Sequence, residues 1–139
     1  MVTGYTTGVF DLFHIGHLNI LKNAKKRCDR LIVGVTTDEL SLSYKKKKPI
    51  ISYKERVEIV RSIKYVDLVV PQTNLDKTKA WKKLKFDIIF VGSDWHNTLR
   101  WQSIEKKLAK VGAKVKYLPY TKSTSSTLIK EVLIKLYKL

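Results

Sequence analysis

The sequence predicts an α/β fold, a five-stranded parallel sheet with helices on both faces, and three observations carry that reading. Short apolar runs recur along the chain, as at Leu31–Val35 and Ile88–Val91. Segments with helical spacing separate them. Ser52-Tyr53-Lys54-Glu55 has the form of a capping box and opens one of those segments. Strands buried on both faces read as near-continuous apolar runs, because neither side meets water.

The expected strands are Met1–Thr7, Leu31–Thr36, Asp67–Pro71, Asp87–Val91 and Lys114–Leu118. Between the first two, Leu18–Ala24 repeats apolar residues at helical spacing, which makes a βαβ unit. The capping box precedes Val57, Ile59, Val60 and Ile63, and further helices are expected near Lys77–Leu84, at Leu99–Val111 and from about Ser125 to Tyr137. Such a Rossmann-like sheet binds ligands beyond the carboxyl ends of its strands, where the winding reverses. Candidate residues therefore belong to Thr7–His17, Thr36–Lys48, Pro71–Leu75, Gly92–His96 and Pro119–Thr127.

With 139 residues, 44% of them hydrophobic, the chain reads as one domain over residues 1–139. No apolar stretch approaches the roughly 18 residues of a membrane span, so no membrane insertion is expected. The start, Met1-Val2-Thr3-Gly4, has no basic segment leading into an apolar one, and the single cysteine, Cys28, cannot form an internal disulfide. A cytoplasmic protein is the expectation. Lys and Arg number 28 against 12 Asp and Glu, a formal net charge of +16, which points to an anionic partner without choosing among nucleic acid, membrane and phosphorylated metabolites. A lysine-rich solvated surface explains the same charge.

The loop after the first strand reads Thr6-Thr7-Gly8-Val9-Phe10-Asp11-Leu12-Phe13-His14-Ile15-Gly16-His17. Histidines three apart at a helix start share a face. Gly16 leaves room for a phosphate to approach, and first-turn amides favour anions. Paired imidazoles there can donate to phosphate oxygens as charge builds in a phosphoryl-transfer transition state. The alternatives are a zinc pair, which lacks evident third and fourth ligands, and two hydrogen-bonded surface histidines.

Gly8-Val9-Phe10-Asp11 followed by His14-Ile15-Gly16-His17 resembles the signature of the HIGH-motif nucleotidyltransferase superfamily. Thr37-Asp38-Glu39, Tyr65-Val66-Asp67 and Gly92-Ser93-Asp94-Trp95 make the chain similar to the cytidylyltransferase branch, and most similar to bacterial glycerol-3-phosphate cytidylyltransferases. The paired histidines alone would also admit adenylyltransferases that make FAD, NAD or dephospho-coenzyme A, and class I aminoacyl-tRNA synthetases.

The resemblance implies transfer of CMP from CTP to a small phosphorylated alcohol, glycerol 3-phosphate first, with pyrophosphate leaving bound to Mg²⁺. Phosphocholine, phosphoethanolamine, a polyol or sugar phosphate, and ATP in place of CTP stay open. It assigns His14 and His17 to the transition state, with Val9, Phe10 and Gly16 beside the nucleotide. Lys45 and Lys47 would hold substrate phosphates, Lys47 the stronger candidate for catalysis, with Arg56 in support. A solvated loop is the other reading of Lys45–Lys48. Asp94 would recognise the nucleotide and Trp95 wall it in, unless Asp94 only caps the next segment. Tyr120, Thr121, Lys122, Ser125 and Ser126 would grip the β and γ phosphates, unless Ser123, Ser125 or Ser126 is simply an N-cap.

Three family positions differ in that last segment. Tyr120 stands for arginine, Lys122 for glutamate and Ser123 for glycine. Val9 replaces a threonine and Leu75 a tryptophan near the expected acceptor pocket. A homodimer is also implied, with Tyr65–Asp67 near the subunit contact. A basic nucleic-acid-binding module is the competing class, and no aromatic stacking ladder supports it, since Trp81, Trp95 and Trp101 fall in helical or turn segments. Nucleic acid is therefore not an expected partner.

Overall fold

In the computed structural model, which describes residues 1–119, 121 and 125–137, the apolar runs pair in parallel. They form β1 (Thr3–Gly8), β2 (Arg30–Thr36), β3 (Leu68–Gln72), β4 (Ile88–Gly92) and β5 (Lys114–Leu118). The strand order is β3-β2-β1-β4-β5. The winding therefore reverses between β1 and β4, where Tyr5 is opposite Ile89. Each strand matches an expected run, shifted by no more than two residues at either end.

Alternation along β2 sends side chains into two cores. Leu31, Val33 and Val35 enter one with Leu21, Val57 and Val60, whereas Ile32 enters the other with Tyr5, Phe86, Trp101 and Leu108. Helices α1 (Ile15–Lys25) and α3 (Tyr53–Arg61) thus cover one face, and α4 (Lys77–Leu84) and α5 (Leu99–Ala109) the other. Each fully buried aliphatic side chain contributes on the order of 1.5–3 kcal/mol. A last helix, α6 (Ser126–Tyr137), follows β5.

Two helix starts depart from expectation. The segment after β2, expected as a loop, contains helix α2 (Asp38–Lys45). Thr37 caps it by accepting from the Leu40 amide at 3.2 Å. The first helix begins at Ile15 rather than near Leu18, because His14 is its N-cap. The Ser52 cap forms as expected, accepting from the Glu55 amide at 3.5 Å.

Candidate active site

The loops beyond the carboxyl ends of the strands enclose a cavity of about 510 Å³, within the size range of small-molecule sites. Its wall includes Val9, His17, Lys45, Lys47, Trp95 and Ser126. Phe10 and Leu12 hold left-handed backbone conformations, with φ of 56° and 50°. These are uncommon for such side chains and keep the loop folded over the switch point. Phe10 is also core, buried with Leu21 and Val33.

The histidines are fixed by their own backbone. The Gly16 amide donates to His14 Nδ1 at 3.0 Å, and the His14 amide donates to His17 Nδ1 at 3.1 Å. A nitrogen that accepts carries no proton, so in each neutral ring the proton belongs on Nε2, an N–H donor with no partner among the described residues. The ring centroids lie 4.0 Å apart. Burial, then the His14 charge, pushes His17 down to about 4 against the opposing pull of Asp11, while burial also lowers His14. At neutral pH both rings are uncharged donors. The need for Gly16 differs from the expected one: a Cβ there would sit 2.7 Å from His14 Cε1, so the glycine clears space for the imidazole.

Asp11 holds the site together. It is 2% exposed, accepts from the Ile50 and Ile51 amides at 2.8 and 2.9 Å, and pairs with Lys130 at 2.8 Å. Burial works to raise its carboxyl, but Lys130 and the two amides hold it below the usual carboxylate range. The amide bonds anchor the chain just after the lysine run. Lys45 ends α2 and Lys46 turns into the left-handed region at φ 58°, so the backbone reverses and both Lys45 and Lys47 line the cavity. Desolvation, then the Lys130 cation, lowers Lys45, with Asp11 opposing.

Arg56 requires a correction. It is 0% exposed, donates to the carbonyls of Ile51, Val9 and Thr36 at 2.6–2.9 Å, and pairs with Asp38 at 2.6 Å. Four of its donors are thereby taken. It fastens the loop after β1 to α2 and α3 and does not face the cavity as a phosphate ligand.

Asp94 is also placed differently from the expectation. It lies in a 3₁₀ turn, Ser93–Trp95, and is exposed, with Oδ1 2.6 Å from where Gly92 would carry a Cβ. Gly92 and Trp95 line the cavity, whereas Asp94 is not on its wall. Nor does Asp94 cap α5, since Thr98 does so. The hydroxyl of Thr121 accepts from Asn19 at 2.9 Å, tying the last loop to α1. Ser125 caps α6 by accepting from the Leu128 amide at 3.0 Å. Ser126 donates to the Asp11 carbonyl at 2.6 Å and lines the cavity. Tyr120, Lys122 and Ser123 lie outside the described residues.

Three contributors went unread in the sequence. Asp11 stood in the motif without a role, Lys130 resembled a surface lysine of an amphipathic helix, and Lys77 resembled a helix-start lysine. Lys77 is 5% exposed, its ammonium donating to Thr7 at 3.0 Å. A helical face that mixes apolar residues with one lysine aimed at a strand end could have signalled Lys130, but only once the order of the strands is known.

Among the described residues, no three His, Cys, Asp or Glu side chains gather to hold a metal ion. Nor is any helix among them long and apolar enough to cross a membrane. Of the two imidazoles the cavity wall carries His17, with His14 packed against it at 4.0 Å between ring centroids and off the wall, and the same wall carries the ammonium groups of Lys45 and Lys47. That arrangement suits transfer between two phosphates, which needs charge stabilisation and alignment but no protein nucleophile.

The cytidylyltransferase-like family profile matches residues 5–132. The chain is 38% identical over 133 residues to the glycerol-3-phosphate cytidylyltransferase of Bacillus subtilis (strain 168), covering 91% of this chain and 92% of that protein. It is 37% identical over 132 residues to the FAD synthase of Pyrococcus abyssi, covering 90% and 88%. Among solved structures, the lipopolysaccharide core biosynthesis protein of Thermoplasma volcanium superposes with a TM-score of 0.72 at 31% identity, covering 89% of this chain and 99% of that one. With the motif, the cavity and these likenesses in agreement, the chain belongs to the cytidylyltransferase-like family and is a nucleotidyltransferase.

Proposed function

We propose that the protein transfers CMP from CTP to a small phosphorylated alcohol, glycerol 3-phosphate first among them, forming a CDP-alcohol and releasing pyrophosphate. The observation that carries this reading is the pair of neutral Nε2–H donors at the switch point, of which His17 lines one cavity with Lys45 and Lys47. The acceptor phosphate oxygen is already ionised at neutral pH, so it attacks the α-phosphorus without a general base as the bond to the bridging oxygen breaks. The imidazoles donate to the phosphate oxygens as charge builds on them. Lys47, with Lys45, holds the acceptor in line. Mg²⁺ enters with the triphosphate as part of the substrate and leaves with pyrophosphate. The first-turn amides of α6, from Ser126 on, receive the outer phosphates.

An ATP-using adenylyltransferase is the second reading, supported by the FAD synthase likeness at nearly the same identity. A cytoplasmic homodimer is part of the proposal, resting on the family resemblance. Pyrophosphate release measured with each of four nucleoside triphosphates against a panel of phosphorylated alcohols tests it. Turnover with CTP and glycerol 3-phosphate is expected. Turnover with ATP alone would establish the second reading, and none with any triphosphate would overturn both.

A further inference from the structure

A second recess, of about 450 Å³, lies between α4 and the β3 edge of the sheet and shares no wall residue with the main cavity. Tyr5, Val70 and Gln72 reach it from the strands, and Ala80 and Leu84 from the helix. It exists because β2 is bare at this point. Gly34 is paired with Val70, and a Cβ on it would stand 2.6 Å from the Tyr5 hydroxyl oxygen. The glycine thus lets the phenol lie across β2.

Two buried polar groups end in this recess without partners. Tyr5 is 2% exposed and stacks on Phe86 with ring centroids 5.1 Å apart, yet its hydroxyl makes no hydrogen bond among the described residues. Burial pushes that hydroxyl up to about 12. Gln72 is 7% exposed; its Oε1 accepts from the Thr36 hydroxyl at 2.8 Å, while its Nε2 is unpaired among the described residues. Every enclosed side-chain N or O among those residues has a partner, so both groups open on the recess rather than on packed atoms. Phenylalanine would stack on Phe86 without the cost of a desolvated hydroxyl. A phenol and an amide so placed suit the acceptor atom of a ligand.

The rim supplies charge. Lys79, Lys82 and Lys83 share a helical face, are exposed and enter no ion pair among the described residues. One carboxylate, Asp76, stands on the rim with them. It is turned to the start of α4, accepting from the Thr78 hydroxyl and from the Thr78 and Lys79 amides at 2.6–3.3 Å. Three ammonium groups therefore stand against one committed carboxylate.

We propose that this recess is a second ligand site, separate from the main cavity, for an amphiphilic organic anion. The apolar body lies between Val70 and Leu84, an acceptor atom meets Tyr5 and Gln72, and a carboxylate or phosphate head meets Lys79, Lys82 and Lys83. The volume is in the range of small-molecule sites. The inference does not depend on which reaction the main cavity performs.

The probe is 4-benzoylbenzoate, a benzophenone carrying a carboxylate, and its neutral counterpart is 4-(hydroxymethyl)benzophenone. Binding to the full chain is titrated by calorimetry at low salt, and irradiation followed by peptide mass spectrometry locates the label. A single saturable site is expected, labelled on β3 or α4 and unaffected by saturating CTP with Mg²⁺. The neutral compound should bind at least about 10-fold more weakly, a difference that shrinks as salt is raised. The double variant Lys82→Gln, Lys83→Gln should weaken the anion about 10-fold and leave the neutral compound within about two-fold. Tyr5→Phe should weaken both compounds about 5-fold while Tm holds or rises.

Label in the main cavity, displacement by CTP, equal binding of the two compounds, or an affinity that neither variant changes would overturn the inference. So would the absence of a saturable site. An affinity that falls as the protein is concentrated would also overturn it, by showing that a second copy covers the recess.

Discussion

The two halves of the cavity offer opposite means of meeting a phosphate. Around β1, β4 and β5 the donors are uncharged: two imidazoles whose Nε2–H groups have no partner among the described residues, and the start of α6, where the Ser126 hydroxyl itself is spent on the Asp11 carbonyl. The cation in that half, Lys130, is neutralised by Asp11. Beyond β2 stand Lys45 and Lys47, for neither of which an ion pair is found among the described residues. A triphosphate can bring its own metal, so the protein needs directional donors for it. An acceptor phosphate without a metal needs fixed charge. Neutral donors act most where negative charge develops, whereas fixed cations also hold the ground state.

That contrast can be broken at several points. The largest effect is expected at Arg56, which joins the halves: Arg56→Met takes a donor from three carbonyls, leaves Asp38 with the Tyr53 amide but no cation, and should cost roughly 3 kcal/mol in urea denaturation. A stable variant that had merely lost acceptor affinity would return Arg56 to the phosphate site. Next, His14→Ala and His17→Ala should each lower kcat by about 100-fold or more, with little change in either KM. A rise in nucleotide KM at constant kcat would mean that the imidazoles bind ground state and transition state equally.

In the cationic half, Lys47→Ala should raise the acceptor KM by about 10-fold or more, corresponding to loss of one charge-assisted hydrogen bond of roughly 1.5–3 kcal/mol. Its effect should shrink as salt is raised. The smallest effect is thermodynamic. Native His17 resists protonation until about 4, whereas its ordinary value is 6.5. As pH falls between those values the unfolded chain takes up a proton that the native form refuses, so stability is lost over that window. Urea midpoints measured across it should decline less in His17→Asn.

The strands were legible because parallel strands covered on both faces must be apolar at nearly every position, and Leu31–Val35 meets that demand without help from neighbours. The histidine pair was legible through spacing. Helix α2 was not: Thr37-Asp38-Glu39 is a fair helix start, but Leu40, Leu42 and Tyr44 then alternate with serines at a strand-like period and give no helical stripe. Nor was the N-cap role of His14, which belongs to Ser, Thr, Asp and Asn by habit. Arg56 and Lys77 show the main limit. One basic residue expected to meet phosphate is locked among carbonyls, and another that resembled a solvated lysine is buried, because burial depends on which strand ends meet.

The proton positions on His14 and His17 decide whether the histidine half offers uncharged donors. Imidazole ¹⁵N NMR of the free protein at neutral pH should find Nε2 protonated and Nδ1 bare in both rings, with His17 titrating near 4. An imidazolium at neutral pH, or a proton resident on either Nδ1, would contradict it.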